Sequence, residues 1–534
     1  MKLITPVVAA MIATTMFSSV GSAQSIAISK SARAATKLTP KVVPLTDSQL
    51  QRWSHLDMAL DTVPGMSVDR AYAELLNGKR GTTVIVGVID SGIDIEHEDL
   101  KSVVWVNPKE IAGNGKDDDK NGYIDDVNGW NFLGDSNNET LEMTRIVRKG
   151  DDGSAVYKAA KAEFDLKVAE AKAGLQQMEF LKNVDKAIQA ELKKDTYTAE
   201  DLKNMTTENE MINQVKPRLI MILTQMKKSD FDEQIEGGYK HYSDQLAYNL
   251  NPDFDGRKLV GDNVNDIKDV KYGNNNVIGP DKEEALHGTH VAGIIGQVRH
   301  NKLGGDGVAN NVKIMALRAV PNGDEYDKDI ALAIRYAVDN GAKIINGSFG
   351  KSYSPNKEWV FDAIKYAASK DVLIVHAAGN DGHDVDLDQY KNYPNDSENA
   401  KDEISDNLIT IGALNHTIPQ IAAPFSNYGS YNVDVFAPGM QIYATAPNNE
   451  YKFLQGTSMA APNAAGVAAL IRSYYPKLTA PQVKKILMDS GTPISETMSF
   501  GEEAEQRSFT KASRSGKIVN AYQALQMAEK MSKK

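Results

Sequence analysis

Near-continuous apolar runs constrain this chain more than any other feature. In Val84-Ile85-Val86-Gly87-Val88-Ile89 no residue is suited to facing water. Val312-Lys313-Ile314-Met315-Ala316-Leu317, Lys343–Asn346, Val372–Val375 and Leu408–Ile411 repeat the theme. A strand with one wet face alternates apolar and polar residues; one covered on both faces reads as an unbroken run. Stretches of helical length lie between the runs, among them Tyr326–Asn340 and Lys357–Lys370. Strands alternating with such helices predict an α/β fold built on a mainly parallel sheet.

One region departs from that alternation. Between Tyr157 and Leu192, apolar residues recur at Phe164, Val168, Ala171, Leu175, Met178, Leu181, Val184, Ile188 and Leu192. Steps of three and four place them on one stripe of a long amphipathic helix. Met211, Ile212, Val215, Leu219, Leu223 and Met226 form a second stripe, which Pro217 starts or kinks. The two stripes are expected to pair as a hairpin, because a lone helix of this composition is marginal in water. Residues 138–275 therefore read as a helical insertion, flanked by a principal domain over 52–137 and 276–530.

Composition narrows the functional classes. The 534 residues carry a formal net charge of −11 and no cysteine. An acidic chain lacks the basic face that a nucleic acid or anionic membrane requires. The absence of cysteine excludes disulfides, thiolate zinc sites, a cysteine nucleophile and cysteine lipidation. At the start, Lys2 precedes an apolar stretch from Leu3 to Val20 and the small residues Gly21-Ser22-Ala23. This pattern predicts a signal peptide over 1–23, a secreted or periplasmic product and no further membrane span. Residues 24–51 form an N-terminal extension.

Three motifs carry chemistry. Asp90 ends the first apolar run; taken alone, an aspartate there is as readily a cap or turn residue. His287-Gly288-Thr289-His290-Val291-Ala292-Gly293 opens a helix rich in small residues. Its histidines could be metal ligands or packing groups, although the glutamate of a zinc-binding helix is missing, and His290 reads as packing. Gly456-Thr457-Ser458-Met459-Ala460-Ala461-Pro462 puts Ser458 at another helix start, where serine ordinarily caps. A nucleophilic hydroxyl needs an imidazole base, and that base needs a carboxylate to orient it.

In this order and in their length, the three segments resemble the signature motifs of the subtilisin-like serine proteases. The resemblance covers about Trp53–Asp135 and Gly279–Leu525 and implies a three-layer fold and a secreted serine endopeptidase. It implies that Asp90 orients His287, that His287 serves as general base and acid, and that Ser458 is the nucleophile. Val375-His376-Ala377-Ala378-Gly379-Asn380 is similar to the family's strand and turn bearing the oxyanion asparagine, which makes Asn380 the donor. Ser348-Phe349-Gly350 resembles the segment that pairs with an extended peptide, and Asn392-Tyr393-Pro394 the base of the primary pocket. Protein or peptide substrates are the implied partners, and catalysis needs no cofactor. A catalytically silent peptide-binding module, or a protein that docks partners through its insertion, are the alternatives.

The run from Asn114 to Asp126 places oxygen-bearing side chains at alternate positions around glycine turns. This spacing suits a hard cation, with Asp117, Asp119, Asn121 and Asp125 as the expected calcium ligands. A solvated acidic turn is the other reading.

Overall fold

The computed structural model describes residues 38–533, except 40, 42, 398–401 and 502. The expected signal peptide lies outside the described residues, as does most of the extension. Two compact units emerge, one over Met143–Asp255 and the other over the described residues up to Glu142 and from Gly256 onward.

The larger unit is built on a nine-stranded sheet. Seven of its strands are β1 (Val84–Asp90), β2 (Gly129–Asn131), β3 (Val312–Arg318), β4 (Ile344–Gly347), β5 (Leu373–Ala377), β6 (Leu408–Leu414) and β7 (Val435–Pro438). They lie in the order β7-β6-β5-β4-β1-β3-β2 and are parallel throughout. Two short strands, Lys517–Ile518 and Thr492–Pro493, extend the sheet beyond β7, the last of them antiparallel. All five apolar runs of the sequence are strands here.

The faces explain those runs. Val84, Val86 and Val88 of β1 point into one apolar core with Ile314 and Ala316 of β3, while Ile89 points into another with Met315 and Leu317. Helices α1 (Leu286–Gly296) and α4 (Thr457–Tyr474) supply the first core, and α2 (Asp327–Asp339) and α3 (Lys357–Ser369) the second. The result is the expected three-layer α/β arrangement. β1 is hydrogen-bonded to β3 on one side and β4 on the other, so the strand order reverses at β1. In open α/β sheets, sites form at the carboxyl ends of strands at such a reversal.

The smaller unit is helical. Ala155–Leu192 is one helix of 38 residues whose first turn is capped by the Ser154 hydroxyl. Pro217 sits inside the helix Glu210–Gln225, which begins seven residues earlier at Glu210, so the proline does not start it. The expected hairpin is incomplete. A third helix, Lys228–Asp244, brings Phe231 and Ile235 into the same core as Met178, Val184, Ile188, Ile212 and Leu219. The segment 256–275, read from sequence as part of the insertion, belongs to the larger unit. No helix of the described residues is long and apolar enough to cross a membrane.

Candidate active site

Asp90 is the last residue of β1 and is 1% exposed. A buried carboxylate must be hydrogen-bonded, and its Oδ1 accepts the Ser91 N–H (2.8 Å) and the His287 Nδ1–H (2.7 Å). This contact puts the proton on Nδ1 and leaves Nε2 as the free lone pair. The imidazole remains 21% exposed, so Nε2 is reachable. His287 is the second residue of α1, and the glycine after it sets the approach. A Cβ on Gly288 would lie 2.2 Å from the Gly92 carbonyl oxygen and 3.0 Å from Asp90 Cβ. Any larger residue would push the helix off β1.

His290, one turn further along α1, is fully buried and donates from Nε2 to the Lys452 carbonyl (2.9 Å). Burial lowers its pKa to about 4, so it is a neutral packing group.

Ser458 is the second residue of α4. Its hydroxyl donates to the Ser348 carbonyl (3.1 Å), while the Ser348 hydroxyl donates to the Ser458 carbonyl (2.8 Å). No hydrogen bond joins Ser458 to His287 in this arrangement. Catalytic hydrogen bonds often tighten only when substrate is bound. The Thr457 N–H goes to Asn380 and the Met459 N–H to the Gly456 carbonyl, whereas the Ser458 N–H has no partner among the described residues. As an orphan donor of the first helical turn, it is available to an anion.

Asn380 follows β5 in a turn. Its Oδ1 accepts both the N–H (2.8 Å) and the hydroxyl (3.0 Å) of Thr457, whose Oγ1 in turn accepts the Gly379 N–H (3.1 Å). With the oxygen held by a backbone donor, the Nδ2 face is left for a ligand. Gly456, at φ 147°, brings the chain past this amide with a hydrogen where other residues carry a side chain. Thr457 was not singled out from sequence; its place beside Ser458 was the available signal.

The substrate-binding candidates cluster at the carboxyl ends of β4 and β5. Lys351 and Tyr393 exchange backbone hydrogen bonds (3.1 and 2.9 Å), joining the Ser348–Gly350 segment to that of Asn392. The Asn392 amide donates to the Ala377 carbonyl (3.2 Å), and its Oδ1 lies 2.4 Å from where a Gly350 Cβ would be. Asn392 lines a small cavity together with His376, Ala378, Lys391, Thr410 and Asn432. His376 is buried, donates to the Phe349 carbonyl (2.8 Å) and has its pKa lowered by burial to about 4.

The expected calcium ligands do not all converge on one point. Asp117 and Asp119 both accept the Asn121 N–H (3.0 and 3.1 Å), while Asp125 caps the N–H groups of Asn114 and Gly115 (3.2 and 2.8 Å). Asn121 donates to Asp126 (2.9 Å). The three carboxylates gathered within 4.8 Å of one another are Glu110, Asp119 and Asp126. Of the four residues expected from spacing, only Asp119 is in that group. Glu110 Oε2 is buried without a partner, and burial together with the Asp119 charge raises the Asp126 pKa. Such a donor set fits a hard cation.

The model of the subtilase family matches residues 81–513. The chain belongs to the subtilase family. Among relatives of this subtilase, the thermophilic serine proteinase of Bacillus sp. (strain AK1) is 40% identical over 225 residues, 42% of this chain and 49% of the relative. Subtilisin DY of Bacillus licheniformis is 36% identical over 218 residues, 40% of this chain and 74% of the relative. A solved protease of Pseudoalteromonas arctica matches at a TM-score of 0.37 and 30% identity, covering 45% of this chain and 70% of that one. The alignments to the Bacillus sp. proteinase and to subtilisin-like protease 1 of Plasmodium falciparum span 49% and 42% of those relatives' own lengths.

Proposed function

We propose that this subtilase is a serine endopeptidase acting through Ser458. The observation that carries the reading is the 2.7 Å contact from buried Asp90 to His287 Nδ1, at the strand-order reversal and with the imidazole open to solvent. Ser458 Oγ attacks the scissile carbonyl carbon, and its proton passes to His287 Nε2. The oxyanion so formed faces the Ser458 N–H and Asn380 Nδ2, both without another acceptor. His287 then protonates the leaving amine as the C–N bond breaks. Water, deprotonated by the same nitrogen, hydrolyses the acyl ester. An extended peptide pairs with Ser348–Gly350, and the side chain preceding the cut bond meets the Asn392 amide, which favours a polar group there. A fluorophosphonate tests the reading: it should label Ser458 covalently in the parent protein and leave Ser458→Ala unlabelled. A parent protein that resists labelling and cleaves no peptide would sink it in favour of a silent peptide-binding module.

The same reading includes two further elements. Calcium binds the cluster of Glu110, Asp119 and Asp126 as a structural ion, remote from bond-making. The leader over 1–23 directs export to the periplasm or beyond, so the exported protein should begin at or near Gln24 on N-terminal sequencing.

A further inference from the structure

The turn that carries Asn380 makes few bonds of its own. Its glycine, Gly379, sits at φ 99°, and the residues around it look to another part of the chain for partners. That part is the segment Phe425–Tyr428. The Asn427 N–H donates to the Gly379 carbonyl (3.0 Å), and the Gly382 N–H donates to the Phe425 carbonyl (2.9 Å). The Asn427 side chain, on a residue 1% exposed, does the rest. Its Nδ2 donates to the Ala378 carbonyl (2.9 Å), and its Oδ1 accepts the N–H groups of Asp381 (3.1 Å) and His383 (2.9 Å). One amide thus binds the turn on both sides of Asn380. A Cβ on Gly379 would lie 2.4 Å from Asn427 Nδ2, so the turn is seated directly on this group.

Only an amide fits all three bonds, since it offers an acceptor and a donor in one plane. A carboxylate would keep the acceptor but would face the Ala378 carbonyl and the Asp381 carboxylate, 3.4 Å from Nδ2, with negative charge. Alanine would leave the N–H groups of Asp381 and His383 and the buried Ala378 carbonyl without these partners. Oxyanion stabilisation depends on donors fixed in advance of the reaction, so a turn that relaxes by a few tenths of an ångström loses part of the effect.

We propose that Asn427 is a positioning residue for the oxyanion donor: its buried amide holds residues 378–383 so that Asn380 Nδ2 meets the developing charge. The inference rests on the serine-protease reading above. Asn427 touches no substrate atom and acts through Asn380.

A double-mutant cycle on a peptide anilide tests it. Asn427→Ala should lower kcat by about 10–100-fold with KM within about threefold, since the interaction it supports exists mainly in the transition state. In an Asn380→Ala background the same substitution should cost less than about threefold, because the group it positions is gone. Asn427→Asp, which keeps the acceptor and its two N–H partners, should fall between parent and Asn427→Ala and serves if the alanine variant does not fold. Equal losses with and without Asn380 would assign Asn427 a merely structural role and overturn the proposal. A raised KM at unchanged kcat would overturn it also. If Asn380→Ala itself leaves kcat intact, the oxyanion reading fails first and the positioning role falls with it.

Discussion

An asparagine amide has an acceptor face and a donor face, and only the donor can stabilise an oxyanion. Thr457 takes the acceptor of Asn380 with two hydrogen bonds, so the donor is what remains to act. Asn380→Ala should therefore lower kcat by about 10²–10³-fold with little change in KM, while Ser458→Ala abolishes turnover. Steady-state kinetics on a peptide anilide check both, and a near-normal kcat in Asn380→Ala would remove it from the mechanism. The segments bearing Asp90, His287, Asn380 and Ser458 were legible because each is a long motif. The resting bond from Ser458 to Ser348 was not, because a rotamer depends on neighbours far off in sequence. His290 carries a pH prediction. Held neutral by burial, it has a pKa of about 4 when folded, against an ordinary value of about 6.5. Unfolding therefore takes up a proton between those values, and the stability this group contributes is lost as pH falls through that window. In a Ser458→Ala background, the added change His290→Gln should make stability less steep in pH between about 4 and 6.5, by up to ~1.4 kcal/mol per pH unit. Denaturant unfolding at several pH values measures this, with other titrations cancelling in the difference. Identical slopes would mean that His290 titrates normally.

At the scale of elements, the strands were readable because burial on both faces removes every polar position from β1 and its neighbours. The helix Lys228–Asp244 was not. It is mostly polar, contains Gly237-Gly238, and buries only two large apolar side chains, Phe231 and Ile235, too short a stripe to stand out. The acidic loop is a different case. Its spacing announced a cation site, but spacing cannot tell which carboxylates cap turns. Asp125 caps Asn114 and Gly115, whereas Glu110 lies outside the repeating pattern and Asp126 is buried against the Tyr336 hydroxyl. Three carboxylates at such separations repel unless a cation or protons intervene. Calcium should therefore raise the Tm of the Ser458→Ala protein, by the equivalent of about 2.7 kcal/mol at a hundredfold excess over its Kd. Asp119→Asn combined with Asp126→Asn should abolish that response. Coincident melting curves in calcium and in chelator would leave the loop as an acidic turn.

For the whole molecule the question is what the helical unit does, and the answer starts at its roots in the catalytic unit. Glu142, just before Met143, pairs with buried Lys351 (3.1 Å), the residue after the Ser348–Gly350 segment proposed to bind substrate. At the other end, a Cβ on Gly256 would lie 2.4 Å from the Asn138 carbonyl, so the two stems meet. The N-terminal stem of the helical unit thus leaves the larger unit at a residue paired with Lys351, and the helical unit is expected to govern which substrates enter. Asp90, His287, Asn380 and Ser458 all belong to the larger unit, so the proposed chemistry should not depend on the helical unit. Replacing 143–255 by a short Gly/Ser linker should leave hydrolysis of a small ester within about threefold, because the oxyanion donors remain. Cleavage of large protein substrates should change by about tenfold or more, since access is what is altered. The boundary matters to the outcome. Removing 138–275 would also take Arg257 and Asp262, which pair with the buried Asp329 (2.7 Å) and Lys328 (2.7 Å), as well as Glu142 beneath Lys351. Breaking a buried pair costs about 3–5 kcal/mol, so the wider deletion should unfold or melt far lower while the narrower one folds. Measuring ester and protein hydrolysis side by side, with thermal melts of both deletions, separates access from folding. An unchanged ratio of protein to ester activity in the narrower deletion would make the helical unit a bystander to substrate entry.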